Sequence, residues 1–339
     1  MDLKQLSQVL GLSQTTISRA LNGYADVSER TRERVMAAAR EHGYRPNGAA
    51  RRLAVGRSEA MGIVYPTGSG DLGDPRFLAM VGGLTDRCAA RNIDVLIASS
   101  PPEGELATYE RLLRNGRVDG YIVPHTRRSD PRIDYLRTRR VPFVAYGRCD
   151  DCQDIAWFDF DNEAGMALAV AQLLRAGHQD IALVHAPTSL NFAHQRLLGY
   201  QRGLQAAGLP PQPQRVVPAE FTRVGGYQAA QTLMQSARPP TAIVADNHVL
   251  GVGLVRGLLD LGLRLPEDVS VIVYDGIPAD SPLHSLGVNA IEQPDAASAG
   301  HCLADLLQGL TEGRPVDALQ VLWQPVYAPG RTVGPPRGA

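Results

Sequence analysis

The 339 residues include 34 Lys+Arg, 35 Asp+Glu and four Cys, with 44% hydrophobic side chains, enough for more than one globular unit. No apolar run is long enough to span a bilayer, which excludes an α-helical membrane protein, and no export signal is legible, so a cytoplasmic chain with reduced thiols is expected. The net charge of −1 hides an asymmetry: residues 1–57 hold ten Lys+Arg and five Asp+Glu, net +5, whereas residues 58–339 hold 24 and 30, net −6. A basic head on an acidic body points to a polyanionic partner for the head alone.

In the head, Leu3, Leu6 and Leu10 recur at helical intervals, Gly11 supplies a turn, and Ser13 stands where an N-cap belongs before a second helix. Ile17 and Leu21 of that second helix pack inward. Gln14, Thr15, Ser18 and Arg19 remain as a short polar face suited to base edges in a major groove. A third helix is predicted from Ser28 to about Gly43, with Val35, Ala38 and Ala39 as its apolar positions. The product is a helix-turn-helix headpiece. Arg19, whose fork matches the two acceptors of guanine, is the expected guanine reader.

Residues 44–57 begin Tyr44-Arg45-Pro46-Asn47 and continue as a basic linker with room for about two helical turns, too few to be stable alone. The headpiece, this phrase and the linker resemble the LacI/GalR family of bacterial regulators. The resemblance implies a hinge at 45–57 in which Asn47, Ala50 and Leu53 meet the minor groove, Leu53 as an apolar wedge that kinks the duplex. It further implies DNA contacts at Ser13 and major-groove readers at Gln14, Thr15, Ser18, Arg19 and Asn22, a near-palindromic double-stranded operator, a homodimer, and a headpiece over 1–44.

Beyond residue 58, runs such as Met61–Tyr65, Asp94–Ala98, Gly120–Val123, Pro142–Tyr146, Ile181–Val184, Ala242–Val244 and Val269–Tyr274 read as buried parallel strands alternating with helices. They predict an α/β body of two doubly wound parallel sheets facing across a cleft, with ligand contacts just after the strands. Arg148, Asn191, Phe192, Arg196, Asp246, Asn247 and Asp275 occupy such places, and Phe77 follows Pro75 and Arg76. Guanidiniums, carboxylates, an amide and aromatic faces in one space suit a polyhydroxylated ligand such as a sugar.

The family resemblance implies a periplasmic-binding-protein-like effector and dimerisation domain over 58–339, its N-subdomain about 58–160 and 291–322 and its C-subdomain about 161–290 and 323–339. The stretch Asn191–Tyr200 resembles the family's effector-binding helix, and the region around Arg148 its glucoside-sensing branch. Two departures stand out. Asp246 occupies a position commonly Asn, and Arg76 interrupts an aromatic pair. The Pro- and Gly-rich tail from Pro329 has no leucine heptads, which predicts a dimer without a tetramerising helix.

No cofactor, metal or catalytic residues are assigned. Cys149-Asp150-Asp151-Cys152 has redox or half-metal-site spacing but no second pair beside it, and His185, His194 and His248 show no ligand spacing. The sequence matches no phosphate loop, and Gly251-Val252-Gly253 lacks a dinucleotide fingerprint's third glycine. An exported sugar-binding protein or a sugar enzyme would leave residues 1–57 unexplained. A repressor released by a sugar is therefore the favoured reading, with a purine- or phosphometabolite-responsive co-repressed regulator as the alternative.

Overall fold

The computed structural model describes residues 1–21, 23–44, 58–66 and 74–337. Asn22 and the linker positions Asn47, Ala50 and Leu53 lie outside the described residues. The chain divides into two compact units, Met1–Glu59 and Ala60–Ala339.

The first unit holds helices α1 (Leu3–Leu10), α2 (Gln14–Leu21) and α3 (Glu29–Glu41). Asp2 opens α1 with a capping box, its side chain accepting from the Gln5 amide at 2.8 Å while the Gln5 side chain accepts from the Asp2 amide at 2.9 Å. Gly11 closes α1 at φ +63°, a left-handed turn that an L side chain would strain. Ser13 then caps α2 through the Thr16 amide at 3.0 Å, and Ser28 caps α3 through the Thr31 amide at 3.3 Å. Leu6, Leu10, Ile17, Ala20, Val35, Ala38 and Ala39 form the core. Leu21, expected inside, is only half-buried; Ala20, three residues after Ile17, turns into the core instead and brings α2 close to α3.

The second unit contains two six-stranded sheets. In the first lobe the order is β11-β5-β4-β3-β1-β2, built from β1 (Ala60–Pro66), β2 (Asp94–Ser100), β3 (Gly120–Val123), β4 (Phe143–Tyr146), β5 (Ala156–Phe160) and β11 (Gln320–Trp323). Helices α4 (Pro75–Ala89) and α11 (Ala296–Thr311) contribute to the core on one face; α5 (Glu105–Arg114) and α6 (Pro131–Thr138) contribute to the core on the other.

In the second lobe the order is β12-β10-β9-β8-β6-β7: β6 (Ile181–His185), β7 (Val216–Pro218), β8 (Ala242–Ala245), β9 (Ser270–Tyr274), β10 (Asn289–Glu292) and β12 (Val326–Ala328). Here α7 (Asn162–Arg175) and α8 (Asn191–Ala206) cover one face, and α9 (Arg223–Met234) and α10 (His248–Asp260) cover the other. Every residue of β6, β8 and β9 is buried, which is why these strands read as unbroken apolar runs.

Two details depart from the sequence reading. The sheets are parallel except for β12, which runs antiparallel to β10 at the edge. The chain leaves the first lobe after Phe160 and returns after Glu292, because β10 carries residues 291 and 292 into the second sheet; Trp323, in turn, still belongs to the first sheet. The Pro- and Gly-rich tail docks on the second lobe: Thr332 is buried, its hydroxyl donates to the Val271 carbonyl at 2.7 Å, and the His178 ring donates to the Gly334 carbonyl at 2.9 Å.

Candidate functional site

Strand ends of both lobes converge on a cleft that opens to solvent, with ≈ 120 Å³ of free space among its lining side chains. The first lobe contributes the loops after β3 and β4. His125 takes φ +49°, uncommon for a residue with a side chain and held here by a buried anchor: Arg132 donates to the His125 carbonyl at 2.9 Å and binds Asp130 at 2.7 Å and Glu105 at 2.8 Å. Gly147, at φ +113°, lets the chain pass the Thr126 hydroxyl, which an added Cβ would meet at 2.4 Å. That hydroxyl donates to the Arg148 carbonyl at 2.7 Å, and the Arg148 guanidinium reaches Asp159 on β5 at 2.8 Å. Asp74, N-cap of α4, brings Arg76 and Phe77 to the same space.

The second lobe answers with Phe192 and Arg196 of α8, Phe221, Asn247 and His248 at the start of α10, and Asp275 after β9. Arg196 is 3% exposed. Its Nε donates to Asn162 Oδ1 at 2.9 Å, Nη1 donates to the Asp246 carbonyl and stands 3.6 Å from Asp275, and the guanidinium lies 3.5 Å from the Tyr274 ring centroid and 4.9 Å from that of Phe192. Asp275 has φ +69°, so the cleft holds a second strained non-glycine residue.

The lobes touch across this cleft. Asp74 pairs with His248 at 3.2 Å and Arg76 with Asp275 at 3.7 Å. Behind them the Asn191 amide donates to the Thr126 carbonyl at 2.9 Å, its side chain donates to the Arg148 carbonyl at 2.9 Å, and the Arg128 amide donates to the Ser189 carbonyl at 3.1 Å. Burial pushes the Asp74 carboxyl up, but the hydrogen bond and charge of His248, the Arg76 amide and His125 together outweigh it and hold the group below its usual range. Burial also keeps His125 neutral, its pKa pushed down to about 4.

Of the eight effector-site residues expected from sequence, Phe77, Arg148, Phe192, Arg196, Asn247 and Asp275 line the cleft. Asn191 and Asp246 do not. Asn191 is spent on the two contacts between lobes, and the Asp246 carboxylate turns inward to accept from the Ala186 amide at 3.0 Å and from Asn247. The sequence reading passed over Asp74, His125, Thr126, Asp159 and Gln293; His125 and Thr126 directly follow β3, so its own strand-end rule would have found them.

Asp246 has a measurable signature. Complete burial pushes its pKa up to about 7, with Arg196 and the two donors pulling the other way. A carboxyl whose folded pKa exceeds its unfolded value binds a proton more tightly when folded, so stability falls as pH rises from about 4 to about 7. Asp246→Asn should flatten that slope in chemical denaturation at pH 5 and pH 8; an unchanged slope would assign it to another group.

In the headpiece Ser13, Gln14, Thr15 and Arg19 are exposed and Ser18 is half-buried. Arg19 is already held, paired with Asp26 at 2.5 Å and lying 5.0 Å from the Tyr24 ring centroid. Both ends of that pair are largely exposed, so the pair is weak and open to exchange for another acceptor.

Residues 6–47 match the family model for bacterial regulatory proteins of the lacI family, and residues 58–316 match that for periplasmic binding proteins and the sugar-binding domain of the LacI family. The chain belongs to the LacI family. The HTH-type transcriptional regulator RafR of Escherichia coli is 40% identical over 337 residues, covering 99% of each chain. AglR of Rhizobium meliloti is 39% identical over 277 residues, covering 81% of this chain and 78% of AglR. Among solved structures, the lac repressor dimer bound to operator and the anti-inducer ONPF superposes with a TM-score of 0.82 at 26% identity, covering 98% of this chain and 99% of the repressor. The CelR–cellobiose complex superposes with a TM-score of 0.74 at 27% identity over 98% and 99%. This LacI-family chain is thus a bacterial transcriptional regulator with a DNA-binding headpiece and the family's sugar-binding domain. Among its described residues no helix is long and apolar enough to cross a membrane.

Proposed function

We propose that this regulator acts as a dimer on a near-palindromic operator and is released by an uncharged sugar of two or more rings bound between the lobes. The observation that carries the ligand class is charge compensation. Three guanidiniums, Arg76, Arg148 and Arg196, and three carboxylates, Asp74, Asp159 and Asp275, line the cleft, each cation with an acidic partner. A phosphorylated or acidic ligand would have to break these pairs, whereas hydroxyl groups insert among them as both donors and acceptors. Buried atoms without a hydrogen-bond partner among the described residues, His248 Nδ1 and Asp275 Oδ1, await such groups, and Phe77, Tyr146, Phe192 and Phe221 offer faces to sugar C–H surfaces. Cellobiose in CelR supports the size.

Thermal shift of the full-length protein against disaccharides, monosaccharides, sugar phosphates and purines tests this. A ligand at a hundredfold excess over its Kd stabilises by about 2.7 kcal/mol. A shift with a disaccharide and none with phosphates supports the reading; a shift confined to purines or sugar phosphates overturns it.

On the DNA side, Gln14, Thr15, Ser18, Arg19 and Asn22 serve as major-groove readers, with Asn47, Ala50 and Leu53 at the minor groove. Arg19→Ala is expected to cost about 1–3 kcal/mol at one guanine of each half-site and to relax selectivity there, with sugar-dependent thermal shift intact. Unchanged selectivity among operator variants would remove Arg19 from the readers.

A further inference from the structure

Four cysteines are reduced in the structure, and two of them differ from the rest. Burial pushes the Cys88 thiol up and that of Cys302 up to about 11, which makes both poor nucleophiles. Cys149 and Cys152 instead stand side by side on one apolar cluster with Trp157, close enough for their sulfurs to interact, and the Cys149 thiol donates to the Asp151 carbonyl at 3.3 Å. Cys149 is buried and Cys152 half-exposed. The same contact, with the Arg148 guanidinium close by, favours ionisation of the outer sulfur and disfavours that of the inner one.

The four-residue loop is pinned from outside. The Asp150 amide donates to the Arg128 carbonyl at 2.9 Å, Arg128 pairs with Asp150 at 3.0 Å, and Arg137 donates to the Asp151 carbonyl at 2.9 Å. One residue upstream, the Arg148 carbonyl accepts from Thr126 of its own lobe and Asn191 of the other. The thiol pair thus sits on the backbone joint that ties the cleft together.

We propose that Cys149 and Cys152 are a peroxide-sensitive dithiol whose closure to an intrachain disulfide loosens the contacts between the lobes through Arg148. The Cys152 thiolate attacks one oxygen of hydrogen peroxide; a sulfur–oxygen bond forms, the oxygen–oxygen bond breaks, and hydroxide leaves and is protonated to water. The sulfur is oxidised by two electrons and the peroxide reduced. The Cys149 sulfur then attacks the sulfenic sulfur as its thiol proton passes to the departing hydroxide: the sulfur–sulfur bond forms, the sulfur–oxygen bond breaks, and a second water leaves. Closure draws the sulfurs to about 2.05 Å, nearer than any thiol hydrogen bond, so the pinned loop must shift at Cys149 and with it the Arg148 carbonyl.

The test uses full-length reduced protein treated with hydrogen peroxide, and needs no knowledge of the sugar. Both cysteines fall in one tryptic peptide, residues 149–175, which should lose two hydrogens and regain them with dithiothreitol, while Cys88 and Cys302 stay free. Hydrogen exchange should become severalfold faster in the segments carrying the Arg128 and Asn191 amides. Cys149→Ser should stop at a dimedone-trappable sulfenic acid on Cys152, and Cys152→Ser should keep both exchange and Cys149 unchanged. Two free thiols after treatment, a sulfinic acid on Cys152 of the wild type, or a disulfide with unaltered exchange would each overturn the proposal. The wild-type peptide and exchange readings stand even where a serine variant fails to fold, and a failed sugar screen leaves them untouched.

Discussion

Replacing Arg196 by Ala is expected to abolish sugar-dependent stabilisation and to lower the unfolding free energy by about 3–5 kcal/mol, the range for removing one partner of a buried ion pair. The size follows from what is left behind. The Asp275 side chain, 9% exposed, loses its nearer cation, Asn162 Oδ1 and the Asp246 carbonyl lose their donors, and the Tyr274 and Phe192 rings lose the plane packed against them. The side chain therefore holds the cleft's floor as well as offering a group to ligand. DNA binding by the headpiece should survive at temperatures where the variant is folded. Urea denaturation and thermal shift, each with and without the identified sugar, separate the two losses; a wild-type sugar shift in this variant would remove Arg196 from the binding site.

The second large effect is expected at Arg132, which never touches the cleft. Arg132→Ala should destabilise by about 3–5 kcal/mol at pH 7, because Glu105 and Asp130, both buried, are deprived of their shared cation. Burial raises the Asp130 carboxyl, yet the hydrogen bonds and charge of Arg132 hold it below its ordinary value. That depressed value stabilises the fold above the unfolded pKa near 3.8, and the contribution is lost as pH falls through the folded one. In the variant Asp130 takes up a proton more readily, so the deficit relative to wild type should shrink as pH drops toward 4. Since Arg132 also holds the His125 carbonyl, sugar affinity should weaken in parallel. Denaturation at pH 4.5 and pH 7.5 gives the check: equal deficits would mean that the carboxylates find other partners.

The headpiece was legible because its signals are local: a capping serine, a turn glycine and apolar residues at helical spacing all act within a few positions. The central strands were legible for a similar reason, since burial on both faces leaves long apolar runs. Edge strands were not. β7, β11 and β12 are short and partly exposed, so their composition is mixed. Without β10 as a strand, Gln293 had no strand to follow, and it went unnoticed at the cleft. Asp246 shows the opposite error. It does follow a strand, but the hydrogen bonds that turn it inward come from Ala186, sixty positions away, and no local pattern encodes that direction. Arg76 was noticed only as a departure, and its partner Asp275 comes from the other lobe.

The return of the chain to the first sheet at Gln320–Trp323, and immediately afterwards to the second at Val326–Ala328, fixes when each lobe can be finished. During synthesis the first lobe begins at residue 60 but lacks its outermost strand until residue 323 has left the ribosome. Until then β5 carries an open edge, with Trp157 and Phe158 along it, able to pair with a neighbouring nascent chain. Both lobes are closed by the same short stretch of polypeptide, within a dozen residues, so neither can mature far ahead of the other. Stop codons anywhere before that stretch should yield aggregation in place of a half-molecule that still binds sugar.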